Sequence, residues 1–142
     1  MNYNKAFFGL YENLFLVLKK EFRVKKALKI FEKIITFGLK KTYDQSGFRK
    51  GNLSDFVRVV KARDNSVGLK VSVKVHSNKI IYRFFTDPFP GLKGKVSAEK
   101  LDATYMKFKV NYLLGPKWKY ETTKHLWVKD HFTEHKIYLT YT

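Results

Sequence analysis

Between residues 64 and 68, the run Asp64-Asn65-Ser66 and then Gly68 separates two kinds of hydrophobic pattern, and this switch limits the folds open to the chain. Before it, apolar side chains recur every three or four residues, the period of an amphipathic helix. After it, alternation dominates, the period of a half-buried strand. Helices first and strands later, in 142 residues, predict one α+β domain over residues 1–142. Its N-terminal helices are followed by a small antiparallel sheet made as β-hairpin, helix and β-hairpin.

The helical half divides into three. Residues 3–20 place Phe7, Leu10, Tyr11, Leu14, Phe15 and Leu18 on one stripe, and Lys19 and Lys20 suit the negative end of the helix dipole. This stretch has one cation ahead of its apolar run and no small-residue cleavage site, so it reads as an amphipathic helix and not a signal peptide. Residues 24–43 carry Ala27, Leu28, Phe31, Ile34, Ile35 and Leu39, with Gly38 at about 1 kcal/mol relative to alanine. Ser54 is a candidate N-cap for a short helix over residues 55–62, which turns Phe56, Val59 and Val60 inward.

In the second half, residues 70–75 alternate Lys-Val-Ser-Val-Lys-Val, and Ser77-Asn78 offers a two-residue turn into a strand over residues 79–86. That turn sets Val75 against Ile80, Val73 against Tyr82 and Val71 against Phe84. The corner Asp87-Pro88-Phe89-Pro90-Gly91 follows, then Ser97 opens a helix carrying Leu101, Tyr105, Phe108, Tyr112 and Leu113. Gly115-Pro116 stops it. Residues 118–128 and 131–141 make the second hairpin, turned at Lys129-Asp130. Its expected pairs are Trp127 with Phe132, His125 with Glu134, Lys124 with His135, Thr122 with Ile137 and Tyr120 with Leu139.

Strand, proline corner and helix form a wall, a rim and a lid, so residues 79–114 are where a site is expected. Tyr82, Phe84, Phe89, Tyr105, Phe108, Trp118 and Trp127 are its candidate wall, suited to a small hydrophobic or aromatic molecule. Asp87, Asp102 and His125 are polar anchors. His125 opposite Glu134 is the usual preparation of a general base, so Asp87, His125 and Glu134 are the candidates for acid–base catalysis. His131 and His135 share a strand face but lie about 13 Å apart along it, too far to share a metal, and no metal site is expected. No dinucleotide, phosphate-loop or nucleophile-elbow motif occurs, and no cofactor is expected.

Charge supplies a third reading. The formal net charge of +17 attracts nucleic acid, other polyanions or anionic surfaces, although the lysines are spread along the chain. The sequence has no cysteine, which fits a reducing, cytoplasmic setting. No apolar run reaches the roughly 18 residues of a membrane span. Exposed aromatics leave a homodimer open as a partner.

From Tyr82 onward, about 60 residues resemble the L-2-amino-thiazoline-4-carboxylic acid hydrolase-like proteins and the related 4-vinyl reductase domains. The likeness rests on Asp87-Pro88-Phe89 at the corner, Lys100-Leu101-Asp102 on the helix, Leu114-Gly115 before the hairpin, and Trp127-Val128-Lys129-Asp130 at its turn. His131 to Leu139 then matches the last strand. The resemblance implies the α+β fold and a small-molecule pocket. Asp87 stands where that family's corner cysteine would be, so any inherited chemistry would have to run on carboxylate and histidine.

Overall fold

The computed structural model describes residues 2–140. Among them the order is α1 (Lys5–Glu21), α2 (Val24–Ser46), α3 (Leu53–Ser66), β1 (Val71–His76), β2 (Lys79–Phe84), α4 (Ala98–Leu114), β3 (Trp118–Lys124) and β4 (Thr133–Leu139). The α+β expectation holds: four helices accompany one four-stranded antiparallel sheet, ordered β1-β2-β4-β3. Tyr141, expected at the end of the last strand, lies outside the described residues.

Local chemistry accounts for the helix bounds. The Asn4 side chain accepts from the Phe7 amide at 3.0 Å and starts α1. Arg23, extended and with no capping bond from its side chain, separates α1 from α2. Asn52 caps α3, accepting from the Asp55 amide at 2.9 Å, so the cap lies two residues before the expected Ser54 and the helix runs longer. Ser97 caps α4 as expected, accepting from the Lys100 amide at 3.2 Å. The apolar stripes are core, with exceptions: Leu10 and Ile34 are 69% and 38% exposed.

α4 is buried on nearly every side because it lies between α2 and the sheet. Leu101, Asp102, Thr104, Tyr105, Met106, Lys109, Val110, Leu113 and Leu114 are all buried along it. Phe108 and Tyr112, expected to face the core, are only partly buried and stack on each other at 4.9 Å.

The first hairpin has the expected register, with Val75 opposite Ile80, Val73 opposite Tyr82 and Val71 opposite Phe84. Ser77 takes a φ of +54° in its turn. The second does not. Residues Leu126–Val128 coil into a 3-10 turn and the pairing shifts between Thr122 and Lys124, so Tyr120 opposes Ile137, Thr122 opposes His135 and Lys124 opposes Glu134. The slip from the expected pairing is two residues over most of the hairpin, which preserves the faces because side chains alternate. It does separate His125 from Glu134. The two hairpins join along β2 and β4, where Tyr82 opposes His135 and Arg83 opposes Glu134.

Candidate functional site

Where α1, α2, the end of α3, β2 and α4 converge, the side chains leave a cavity of about 60 Å³. Phe7, Phe8 and Tyr11 close it from α1, Ile35 and Leu39 from α2, and Phe84, Phe89 and Tyr105 from the sheet side. Gly38 faces it from α2, where the absent side chain leaves only the Tyr11 hydroxyl, 3.8 Å from where a Cβ would stand. Aromatic edges and faces hold the wall, with Phe8–Phe89 centroids at 5.6 Å, Phe31–Phe89 at 5.9 Å and Phe84–Tyr105 at 6.4 Å.

One part of this apolar wall is charged. Lys109 is 4% exposed and Asp64 2%. The Lys109 ammonium donates to the Tyr82 hydroxyl at 2.8 Å and lies 3.4 Å from Asp64 Oδ1, while the Tyr82 hydroxyl donates to Asp64 Oδ2. The rings of Tyr82, Phe84 and Tyr105 surround the Lys109 nitrogen at 5.1, 5.4 and 5.3 Å from their centroids. Burial pulls the Lys109 pKa down against the opposing pull of Asp64, and burial with the same carboxylate pushes the Tyr82 hydroxyl well up. The Tyr43 hydroxyl, also buried, has no partner among the described residues. Arg63 lines the rim, its guanidinium 5.3 Å above the Phe7 ring.

A smaller hollow of about 10 Å³ adjoins the first, sharing Phe84, Pro88, Phe89 and Tyr105 with it. Asp87, Asp102, His125 and Trp127 line its far side. The Asp87 carboxylate accepts from the Phe89 amide at 2.9 Å and from the Trp127 indole at 2.6 Å. Burial nevertheless raises the Asp87 pKa. Asp102 accepts from the Tyr105 hydroxyl at 3.0 Å and meets His125 Nε2 at 2.9 Å. His125 Nδ1 accepts from the Trp127 amide at 3.0 Å, so the ring proton sits on Nε2 and donates to Asp102. With both nitrogens engaged, His125 has no site left to take a proton from a ligand. Behind Asp102, the buried His135 bonds Thr122 through Nδ1 at 2.8 Å, and its Nε2 is unpartnered at 4.0 Å from Asp102. Burial pushes the His135 pKa down to about 4.

The expected site residues thus fall into three groups. Phe84, Phe89 and Tyr105 line the larger cavity, and Tyr82 supports its polar wall through its hydroxyl. Asp87, Asp102, His125 and Trp127 gather at the smaller hollow. Phe108, Trp118 and Glu134 belong to neither. Phe108 stacks on Tyr43 and Tyr112, and Trp118 opposes Leu139 at the start of β3. Glu134 points to the opposite sheet face, where it binds Arg83 at 2.7 Å and the Thr123 hydroxyl at 2.7 Å. The expected His125–Glu134 pair is therefore not formed; Asp102 is the carboxylate on His125. Among the described residues, no group of three histidine, aspartate or glutamate side chains is placed to hold a metal ion.

A scan against family models matches none, and a search of curated proteins matches none. The resemblance to the hydrolase-like and vinyl reductase-like proteins therefore gains no support beyond the α+β class itself. Solved structures do match. A trafficking protein particle complex subunit 3 from Naegleria fowleri, covalently bound to palmitic acid, superposes with a TM-score of 0.61 at 15% identity, over 97% of this chain and 95% of that one. An H-NOX protein from S. oneidensis in the Fe(II)NO ligation state gives 0.50 at 12% identity, over 95% of this chain and 74% of that one. These likenesses concern the fold alone. No helix among the described residues is long and apolar enough to cross a membrane.

Asp64, Lys109, Phe7, Phe8, Tyr11 and Arg63 were not among the expected site residues. A signal for the first two exists: Asp64 follows Phe56 and Val60 at steps of four, and Lys109 follows Leu101 and Tyr105 likewise. A charge standing on an apolar stripe marks a buried polar group.

Proposed function

We propose that this chain is a binding domain for a small apolar molecule, seated in the cavity between α1, α2 and α4 against β2. The observation that carries the reading is the combination on one cavity wall of aromatic lining and a buried, hydrogen-bonded Lys109–Asp64 pair. Ligand sites are mostly apolar with a few placed polar groups, and this wall has that composition. The likeness in fold to a structure holding palmitic acid supports an aliphatic occupant.

At about 60 Å³ the resting cavity admits several water-sized groups, since each needs about 10–15 Å³, but not a long chain. Half-buried Phe7 and Tyr11 form the wall with most freedom to turn outward, and Arg63 above Phe7 places a cation where an acidic head group would emerge. Residues 1–142 act as one domain in this reading. Hydrolysis is the weaker reading, because both nitrogens of His125 are occupied and Glu134 faces away.

The test is displacement of a bound environment-sensitive dye by 1-octanol and by palmitic acid, at low and high salt. Saturable displacement that survives salt is expected. Displacement by neither compound at millimolar concentration sinks the proposal. Binding only to polyanions, weakening steeply with salt, would assign the function to the lysine-rich surface instead.

A further inference from the structure

The cavity wall presents an amine to an apolar space. Lys109 lines the cavity, and its nitrogen is ringed by three aromatic side chains, with a proton acceptor in Asp64 at 3.4 Å and a hydroxyl partner in Tyr82 at 2.8 Å. A purely structural ion pair needs no aromatic enclosure and no free volume beside it. A lysine removed from water next to bound substrate is the arrangement that makes the side chain a nucleophile toward carbonyl carbon.

We propose that Lys109 captures an apolar aldehyde in the cavity as a protonated imine, with Asp64 as its counter-ion. This deepens the binding reading of the same cavity and rests on it. Asp64 takes one proton from the ammonium, and the freed nitrogen lone pair attacks the carbonyl carbon. The carbon–nitrogen bond forms as the carbon–oxygen π bond breaks, and Asp64 returns its proton to the oxygen. The carbinolamine then loses a second nitrogen proton to Asp64, which delivers it to the hydroxyl group, and water leaves. The nitrogen keeps one proton and the positive charge, so ammonium and aldehyde become iminium and water, with no oxidant or reductant. The product charge remains opposite the Asp64 carboxylate and among ring faces that attract cations. The apolar surroundings disfavour the return of water.

The experiment is reductive trapping of the folded protein with substoichiometric octanal and cyanoborohydride, followed by intact mass and peptide mapping. Modified chains are expected to carry a single adduct, heavier by one octanal less one oxygen atom and located at Lys109. Burial lowers the Lys109 pKa and so raises its neutral fraction, and Lys109 should therefore take the label ahead of the exposed lysines. In urea, where the chain is unfolded, that preference should vanish. Lys109→Arg should abolish the adduct; if this variant fails to fold, the native-against-urea comparison of the natural chain still decides. A parallel measurement of 1-octanol binding separates the two readings. Octanol binding with labels spread evenly over the lysines would overturn the imine and leave the binding function. Neither binding nor selective labelling would overturn both.

Discussion

Lys109→Met is the substitution whose consequence follows most directly from the packing. The ammonium is 4% exposed and Asp64 2%, so neither has water to turn to. With the lysine gone, the Asp64 carboxylate keeps the Tyr82 hydroxyl as its side-chain donor and loses the one cation that lies within 4 Å of it among the described residues. Breaking a buried pair from one side costs about 3–5 kcal/mol, because the surviving charge stays desolvated. For a domain of this size that lowers Tm by roughly 10 °C or more. The triple variant Lys109→Met/Asp64→Leu/Tyr82→Phe removes every member of the group, and replacing a whole buried pair by apolar residues is often neutral or stabilising. It should lie within about 2 kcal/mol of the natural chain. Urea unfolding by circular dichroism, with the slope checked for constancy, reads both numbers. A single variant within about 1 kcal/mol of the natural chain, or a triple variant as unstable as the single, would refute the argument that an uncompensated buried charge sets the cost.

Three further outcomes are expected. His135 titrates near 4 when folded and near the ordinary 6.5 when unfolded. The unfolded chain therefore binds the extra proton in that window, so this residue's contribution is complete above pH 6.5 and is lost as pH falls toward 4, by up to about 3 kcal/mol; His135→Phe should flatten urea midpoints measured across that range. Gly38→Ala meets only an ordinary 3.8 Å contact with the Tyr11 hydroxyl, so it should stabilise α2 by about 0.5–1 kcal/mol in the same assay. Gly68 has a φ of +81°, and a Cβ there would stand 1.9 Å from the Asn2 carbonyl oxygen, so Gly68→Ala should displace the N-terminal segment and speed its proteolysis, whereas natural protease resistance would contradict the clash.

The helices, the first hairpin and its register were legible because each is set within a few residues. Ser97 announces the start of α4, and Ser77-Asn78 settles the β1–β2 pairing. The second hairpin was not, since nothing in Leu126-Trp127-Val128 distinguishes a strand from a 3-10 turn until Thr133 accepts from the Leu126 amide at 3.1 Å and Asp130 from the His125 amide at 2.8 Å. Those bonds draw His125 off the strand and toward Asp102. The corner and α4, where the sequence places a candidate site, line both hollows, whereas the contribution of α1 depends on long-range packing. Lys109 and Asp64 were passed over for a different reason: charged residues on helices are ordinarily solvated, and only their position on the apolar stripe says otherwise.

The join between the hairpins bears on how the protein is made. Each hairpin closes over a short loop, but the β2–β4 seam brings together residues about fifty positions apart, such as Tyr82 and His135. Loop closure of that length has to be compensated by contacts formed at the same time, and the available ones are the docking of α4 and the rings of Tyr82, Phe84 and Tyr120 around His135. Both hollows border on that seam through Phe84. During synthesis the ribosome will have released the β1–β2 hairpin well before β4, the second partner of β2, exists. A ligand cannot then assist the first collapse of the chain; it can only act once the last strand is in place, holding shut a structure already formed.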